Sequence, residues 1–115
     1  MKVEQFIDLL SAECVTEQID TDKEYDCAFA SDLMSDVLAL ASNTTVFITG
    51  LNNPQAIRTA EMLDITLIIL VRGKKPSKES LAIANETNIT ILTTDLIMFV
   101  ACGKLYGAGL SALPI

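Results

Sequence analysis

Thr66–Val71 (TLIILV) leaves no face for water, because side chains of both parities from Leu67 onward are aliphatic. A strand of that kind is buried on both sides, which parallel sheets achieve by laying helices over each face. Thr44–Thr49 (TTVFIT), rich in β-branched residues, reads as a second buried strand. Tyr25–Ala30 and Ile89–Leu92 read as two more, and each of the four is followed by a helical pattern. These are Leu33–Ala41, Pro54 to about Leu63, Lys78 to about Thr87, and Leu96 to about Tyr106, the last stopped by Gly107 and Gly109. Asn53 before Pro54, and Ser77 before Lys78, are expected N-caps; Ser31 or Asp32, and Thr93-Thr94-Asp95, are assigned the same role for the second and last helices. An N-terminal helix Val3–Leu10 and a short strand within Glu13–Thr16 precede this alternation, separated from it by a polar turn at Asp20–Lys23. The expectation is an α/β fold of three layers, a mainly parallel sheet of about four to five strands with helices on both faces. With 115 residues and no repeat or linker, it forms one domain over residues 1–115.

Charge is distributed unevenly. Residues 1–36 hold ten of the fifteen acids and two lysines, whereas residues 37–115 carry five acids and six bases. Four bases, Arg72, Lys74, Lys75 and Lys78, fall within seven positions. A net charge of −7 repels a phosphate backbone, so nucleic acid is not an expected partner. The acidic half reads either as a solvated surface or as a docking face. No apolar run approaches the length of a membrane span, and Glu4 and Asp8 interrupt the N-terminal stretch where a signal peptide would be apolar. Cys14, Cys27 and Cys102 are odd in number and widely spaced, which fits buried thiols in a reducing cytoplasm.

Catalytic constellations are sparse. The absence of histidine removes the usual triads and proton shuttle, and Arg72-Gly73-Lys74-Lys75 lacks the glycine spacing of a phosphate loop. Asp32, Asp36 and Asp95 could hold Mg²⁺ only if folding groups them. No cofactor is expected. Ligands of parallel α/β domains bind at the carboxyl edge of the sheet, where the strand-to-helix loops emerge. Those loops contain Ser31, Asp32, Thr49, Asn52, Asn53, Arg72, Lys74, Thr94 and Asp95, the candidate ligand-binding residues. Helix N-termini and a guanidinium fork at that edge suit a small anion or nucleotide. The alternative reading is that these side chains only cap helices and face water. The last helix, Leu96–Cys102, is apolar all round, which implies cover on more than one side, by core packing or by a second subunit.

Ala30–Leu38 (ASDLMSDVL), Thr49–Gln55 with Arg58–Asp64, Val71–Pro76, Thr93–Asp95 and Ala101–Tyr106, in that order, resemble the blocks of DRTGG-domain proteins. That family is similar to the N-terminal domain of HPr kinase/phosphorylase and to a domain of some phosphotransacetylases and CBS-containing pyrophosphatases. The resemblance implies an HPr-kinase-N-terminal-domain-like α/β fold, a regulatory, ligand-sensing and non-catalytic role, and a homodimer. It also implies, as an alternative, a redox- or hydrogenase-associated protein partner, which the acidic half would meet. Where the name-giving motif should stand, the chain reads Asp22-Lys23-Glu24-Tyr25-Asp26-Cys27 and lacks the paired glycines.

Overall fold

The computed structural model describes residues 1–17, 19–42 and 45–114. In chain order these form α1 (Val3–Leu10), β1 (Glu13–Cys14), β2 (Cys27–Ala30), α2 (Met34–Leu40), β3 (Thr45–Thr49), α3 (Pro54–Met62), β4 (Leu67–Leu70), α4 (Lys78–Glu86), β5 (Thr90–Thr93), α5 (Met98–Gly107) and β6 (Ser111–Ala112). The expected start of the third strand at Thr44 lies outside the described residues. One six-stranded sheet has the order β1-β5-β4-β3-β2-β6. All pairs are parallel except β1 with β5, which is antiparallel and sets Glu13 opposite Thr93.

Strand side chains alternate between two cores, as the period of two requires. Val46, Ile48, Leu67, Ile69 and Leu92 pack against Val3, Phe6 and Leu10 of α1 and Ala101 and Leu105 of α5. Phe47, Ile68, Leu70 and Ile91 face the other way, against Val37 of α2, Ile57 and Ala60 of α3, and Ile83 and Ala84 of α4. The result is the expected three-layer sandwich, with two helices in front and three behind. The sheet has six strands where four to five were expected. The additional strand, β6, is only two residues long and carries no periodicity to read.

Two of the expected caps hold and two do not. The Asn53 Oδ1 accepts from the Ala56 N–H at 3.0 Å, and the Ser77 Oγ from the Ser80 N–H at 3.1 Å. By contrast, α2 is entered through Leu33 and α5 through Ile97, neither with a side-chain cap. The side chains expected there bond elsewhere. Ser31 Oγ accepts from the Leu33 N–H at 3.0 Å, Asp32 reaches the loop after β3, and Thr94 Oγ1 donates to the Leu10 carbonyl at 2.8 Å. The last helix also runs through Gly107 and closes at Ala108, with the left-handed Gly109 (φ +104°) turning the chain beyond it.

Apolar residues all round α5 do not all find cover within the chain. Ala101 and Leu105 are buried, but Phe99 is 85 % exposed, so core packing alone does not account for the pattern. The thiols are free; Cys27 is buried and Cys14 and Cys102 half-buried. No helix among the described residues is long and apolar enough to cross a membrane.

Candidate functional site

Because β2, β3, β4 and β5 are parallel neighbours, the loops that follow them emerge together at one edge. After β2, β3 and β4 the chain turns to the rear layer; after β5 it turns to the front, into α5. The loops after β4 and β5 therefore diverge, which leaves a crevice at the point where strand connections change sides. It is a cavity of about 120 Å³ lined by Ser11, Glu13, Gly73, Lys75, Thr93, Thr94 and Asp95. The two loops are stitched by backbone bonds, the Arg72 N–H to the Leu96 carbonyl at 2.8 Å and the Gly73 N–H to that of Thr94 at 2.9 Å.

Most of the sequence-derived candidates are spent in building this edge. The Asp32 Oδ1 accepts from the Thr49 hydroxyl at 2.8 Å and from the Gly50 N–H at 2.7 Å. Thr49 Oγ1 in turn accepts from the Leu51 N–H at 3.1 Å. The Asn52 Nδ2 donates to the Lys75 carbonyl at 2.7 Å, and its own carbonyl accepts from the Ser80 hydroxyl at 2.9 Å, tying the β3 loop to the β4 loop. Asn53 caps α3, Thr94 holds the end of α1, and Ser31 closes a local turn. These bonds tie the loops of the edge to one another and to α1.

Arg72, Lys74 and Asp95 remain. All three are exposed, and none has a side-chain hydrogen bond or ion pair among the described residues. Arg72 sits at φ +62°, a left-handed conformation that costs a non-glycine residue about 1–2 kcal/mol. Its guanidinium lies across Gly50. A Cβ on Gly50 would stand 2.7 Å from Nη2 and 3.3 Å from Nε, so only glycine leaves that seat open. Asp95 borders the same loop, its Oδ1 3.3 Å from where a Cβ on Gly73 would lie. The edge thus presents a planar cation seated over Gly50, unpaired among the described residues and flanked in sequence by Lys74 and Lys75, a geometry suited to a phosphate or carboxylate. Asp32, Asp36 and Asp95 do not assemble; among the described residues no three acids or thiols are grouped to hold a metal ion.

Sequence reasoning did not identify Ser11 or Glu13 as part of this edge. Gly50 was placed there within the loop Thr49–Asn53 but only as a turn residue, with no contact to Arg72 foreseen. Glu13 arrives through the pairing of β1 with β5, a contact no local pattern announces.

The segment Asp22–Cys27 lies at the opposite, amino edge of the sheet. There Tyr25 is buried, its hydroxyl 2.8 Å from the Thr66 Oγ1, and the Lys23 Nζ donates to that same oxygen at 2.7 Å. Burial pushes the Tyr25 phenol above its ordinary value; the bond to Thr66 partly opposes this and the Asp20 charge adds to it. Neither Asp26 nor Cys27 adopts positive φ, so the chain passes here without needing glycine.

Comparison with known proteins agrees with this architecture. None of the curated proteins matches the chain. Among solved structures it is similar to the regulatory region of a Clostridium perfringens pyrophosphatase, comprising CBS and DRTGG domains, crystallised with its activator diadenosine tetraphosphate. The TM-score is 0.75 at 23 % identity, over 98 % of this chain and 47 % of the other, so the chain spans about half the length of that region. The model of the DRTGG domain matches residues 5–105, nearly the whole sequence, and the chain belongs to the DRTGG domain family.

Proposed function

We propose that this chain is a regulatory domain without catalysis of its own, and that it recognises a small anionic metabolite or nucleotide at the carboxyl edge of its sheet. One observation carries the reading: Arg72 is held in a strained backbone conformation with its guanidinium seated on Gly50 and no protein partner among the described residues. Strain concentrates where function requires a particular side-chain placement, and an unpaired guanidinium beside two lysines favours an anion. The nucleotide activator of the structurally similar pyrophosphatase region is a ligand of this class. A thermal-shift titration with ATP, diadenosine tetraphosphate and acetyl phosphate tests it. Stabilisation that vanishes in Arg72→Ala is expected; none at millimolar ligand, or one indifferent to Arg72, rules the reading out.

A second reading concerns assembly. Phe99, 85 % exposed, stands beside an apolar groove of about 360 Å³ between α5 and the β2–β6 edge, lined by Ala28, Ala30, Ile48, Cys102 and Leu110 among others. Burial pushes the Cys102 thiol up, consistent with a dry lining. From Leu96 to Pro114 the chain carries a single ionic side chain, Lys104, whereas the acids crowd the first 36 residues. A second copy docked through this face buries a knob against a neighbouring hole and keeps the two acidic halves from being the contact. We propose a homodimer of this two-fold kind.

A further inference from the structure

The amino edge of the sheet holds a cavity of about 370 Å³, on the opposite side of the domain from Arg72. It opens among the residues that lead into β2, β4 and β5. Its polar lining is Asp20, Lys23, Tyr25, Thr66, Asn88 and Thr90. The size falls within the range of small-molecule pockets, roughly 300–1,000 Å³.

Three observations mark it as a place for a ligand. Thr90 is only 8 % exposed and lines the cavity, yet its hydroxyl has no hydrogen-bond partner among the described residues. No side-chain polar atom there is both sealed from solvent and unpaired, so this hydroxyl is open to the cavity and free to bond what enters it. Secondly, Lys23 has Asp20, Asp22, Glu24 and Asp26 within three positions and pairs with none of them. Its ammonium turns inward instead, 2.7 Å from the Thr66 hydroxyl and 5.4 Å from the centroid of the Tyr25 ring. Thirdly, Asn88 is held at φ +59° on the rim, its side-chain amide without a partner among the described residues.

The chemistry of the lining selects the class of ligand. Hydroxyls of Tyr25, Thr66 and Thr90 and the amide of Asn88 each donate or accept, Lys23 donates, and Asp20 accepts. Four acids against one lysine in the segment oppose a net anion. We infer that the amino-edge cavity binds a neutral ligand carrying vicinal hydroxyls on a ring, with Thr90, Lys23 and Asn88 bonding those hydroxyls. A free monosaccharide and the ribose of a nucleoside share that chemistry.

Titration of the ¹⁵N-labelled full chain with D-ribose, D-glucose and adenosine, followed by amide chemical shifts, tests the assignment. Saturable shifts at Thr66, Asn88 and Thr90 are expected. Saturation with the sugars points to a free monosaccharide; saturation with adenosine alone points to a nucleoside. Thr90→Val, Lys23→Met and Asn88→Gly each weaken binding about three- to tenfold, the worth of one hydrogen bond. Thr90→Val leaves the midpoint of denaturation unlowered, because the hydroxyl it removes bonds nothing in the protein. Exposed Lys23 and Asn88 provide variants whose folding is not at stake. Arg72→Ala leaves these shifts unchanged, which separates this cavity from the carboxyl-edge site. Absence of saturable shifts with all three probes, or binding indifferent to the three substitutions, overturns it.

Discussion

The seat of Arg72 on Gly50 makes a prediction that charge alone does not. Gly50→Ala leaves every ionisable group in place but sets a methyl 2.7 Å from the Arg72 Nη2, 3.3 Å from Nε and 3.4 Å from Cζ. No backbone lies among those nearest atoms, so the guanidinium swings away and the fold remains. The positive-φ glycines among the described residues are Gly73 and Gly109, so alanine is compatible with the backbone at position 50. At such sites Gly→Ala stabilises by about 0.4–1 kcal/mol through the unfolded chain. Hydrogen bonds from a charged group contribute about 1.5–3 kcal/mol, so losing those of Arg72 weakens anion binding roughly ten- to a hundredfold. Calorimetric titration of the wild type, Gly50→Ala, Arg72→Ala and the double variant with the anion that stabilises the domain measures this. Both single variants lose affinity, and the double variant loses no more than Arg72→Ala. Independent additive losses, or a Gly50→Ala protein that binds like wild type, would refute the seat.

Three further outcomes are expected. Asp32→Ala removes the acceptor of the buried Thr49 hydroxyl and of the Gly50 N–H, costing about 1–3 kcal/mol, read as a lower urea midpoint at unchanged slope, with Asp32→Asn intermediate. Burial holds the Tyr25 phenol above its ordinary value in the folded state, so the folded chain keeps this proton longer than the unfolded one. Its contribution is complete below the range where the unfolded phenol titrates and is lost as pH rises through the higher folded value, a decline that Tyr25→Phe blunts in alkaline melts. Phe99→Glu yields a monomer by light scattering without lowering monomer stability, because the ring is 85 % exposed within the chain; an unchanged mass would exclude the α5 face as the interface.

The layers of this fold were written locally, and the details of its edges were not. The strand Leu67–Leu70 announces two-sided burial by its own side chains, and the alternation of four such units fixes a parallel sheet. Asn53 and Ser77 were legible as caps because each bonds an amide three residues on. Asp32 and Thr94 look identical to caps in sequence but take partners 17 and 84 positions away, and only the folded sheet brings those within reach. The strain at Arg72 had no signal, since nothing in an Arg-Gly pair says which residue carries the positive φ. Thr66 and Thr90 read as ordinary strand residues, and their shared cavity follows from the β4–β5 register that pairs Leu67 with Thr90. The nine carboxyl-edge candidates do lie at one edge, but three of them have side chains not bonded within it.

The strand order also bears on how the chain reaches this state. The four inner strands β2 to β5 lie side by side in chain order, so each pairing closes a short loop and the central sheet assembles from successive neighbours. Both margins are different. β1 joins β5, and β6 joins β2, across most of the length of the chain, by two residues each. Such pairings pay the largest closure entropy for the fewest bonds, and they form last and open first. Amide exchange should therefore be fastest at the two margins and slowest in β3 and β4. The β6 margin borders the apolar groove beside α5, so a partner that occupies the groove slows exchange there without touching the centre of the sheet.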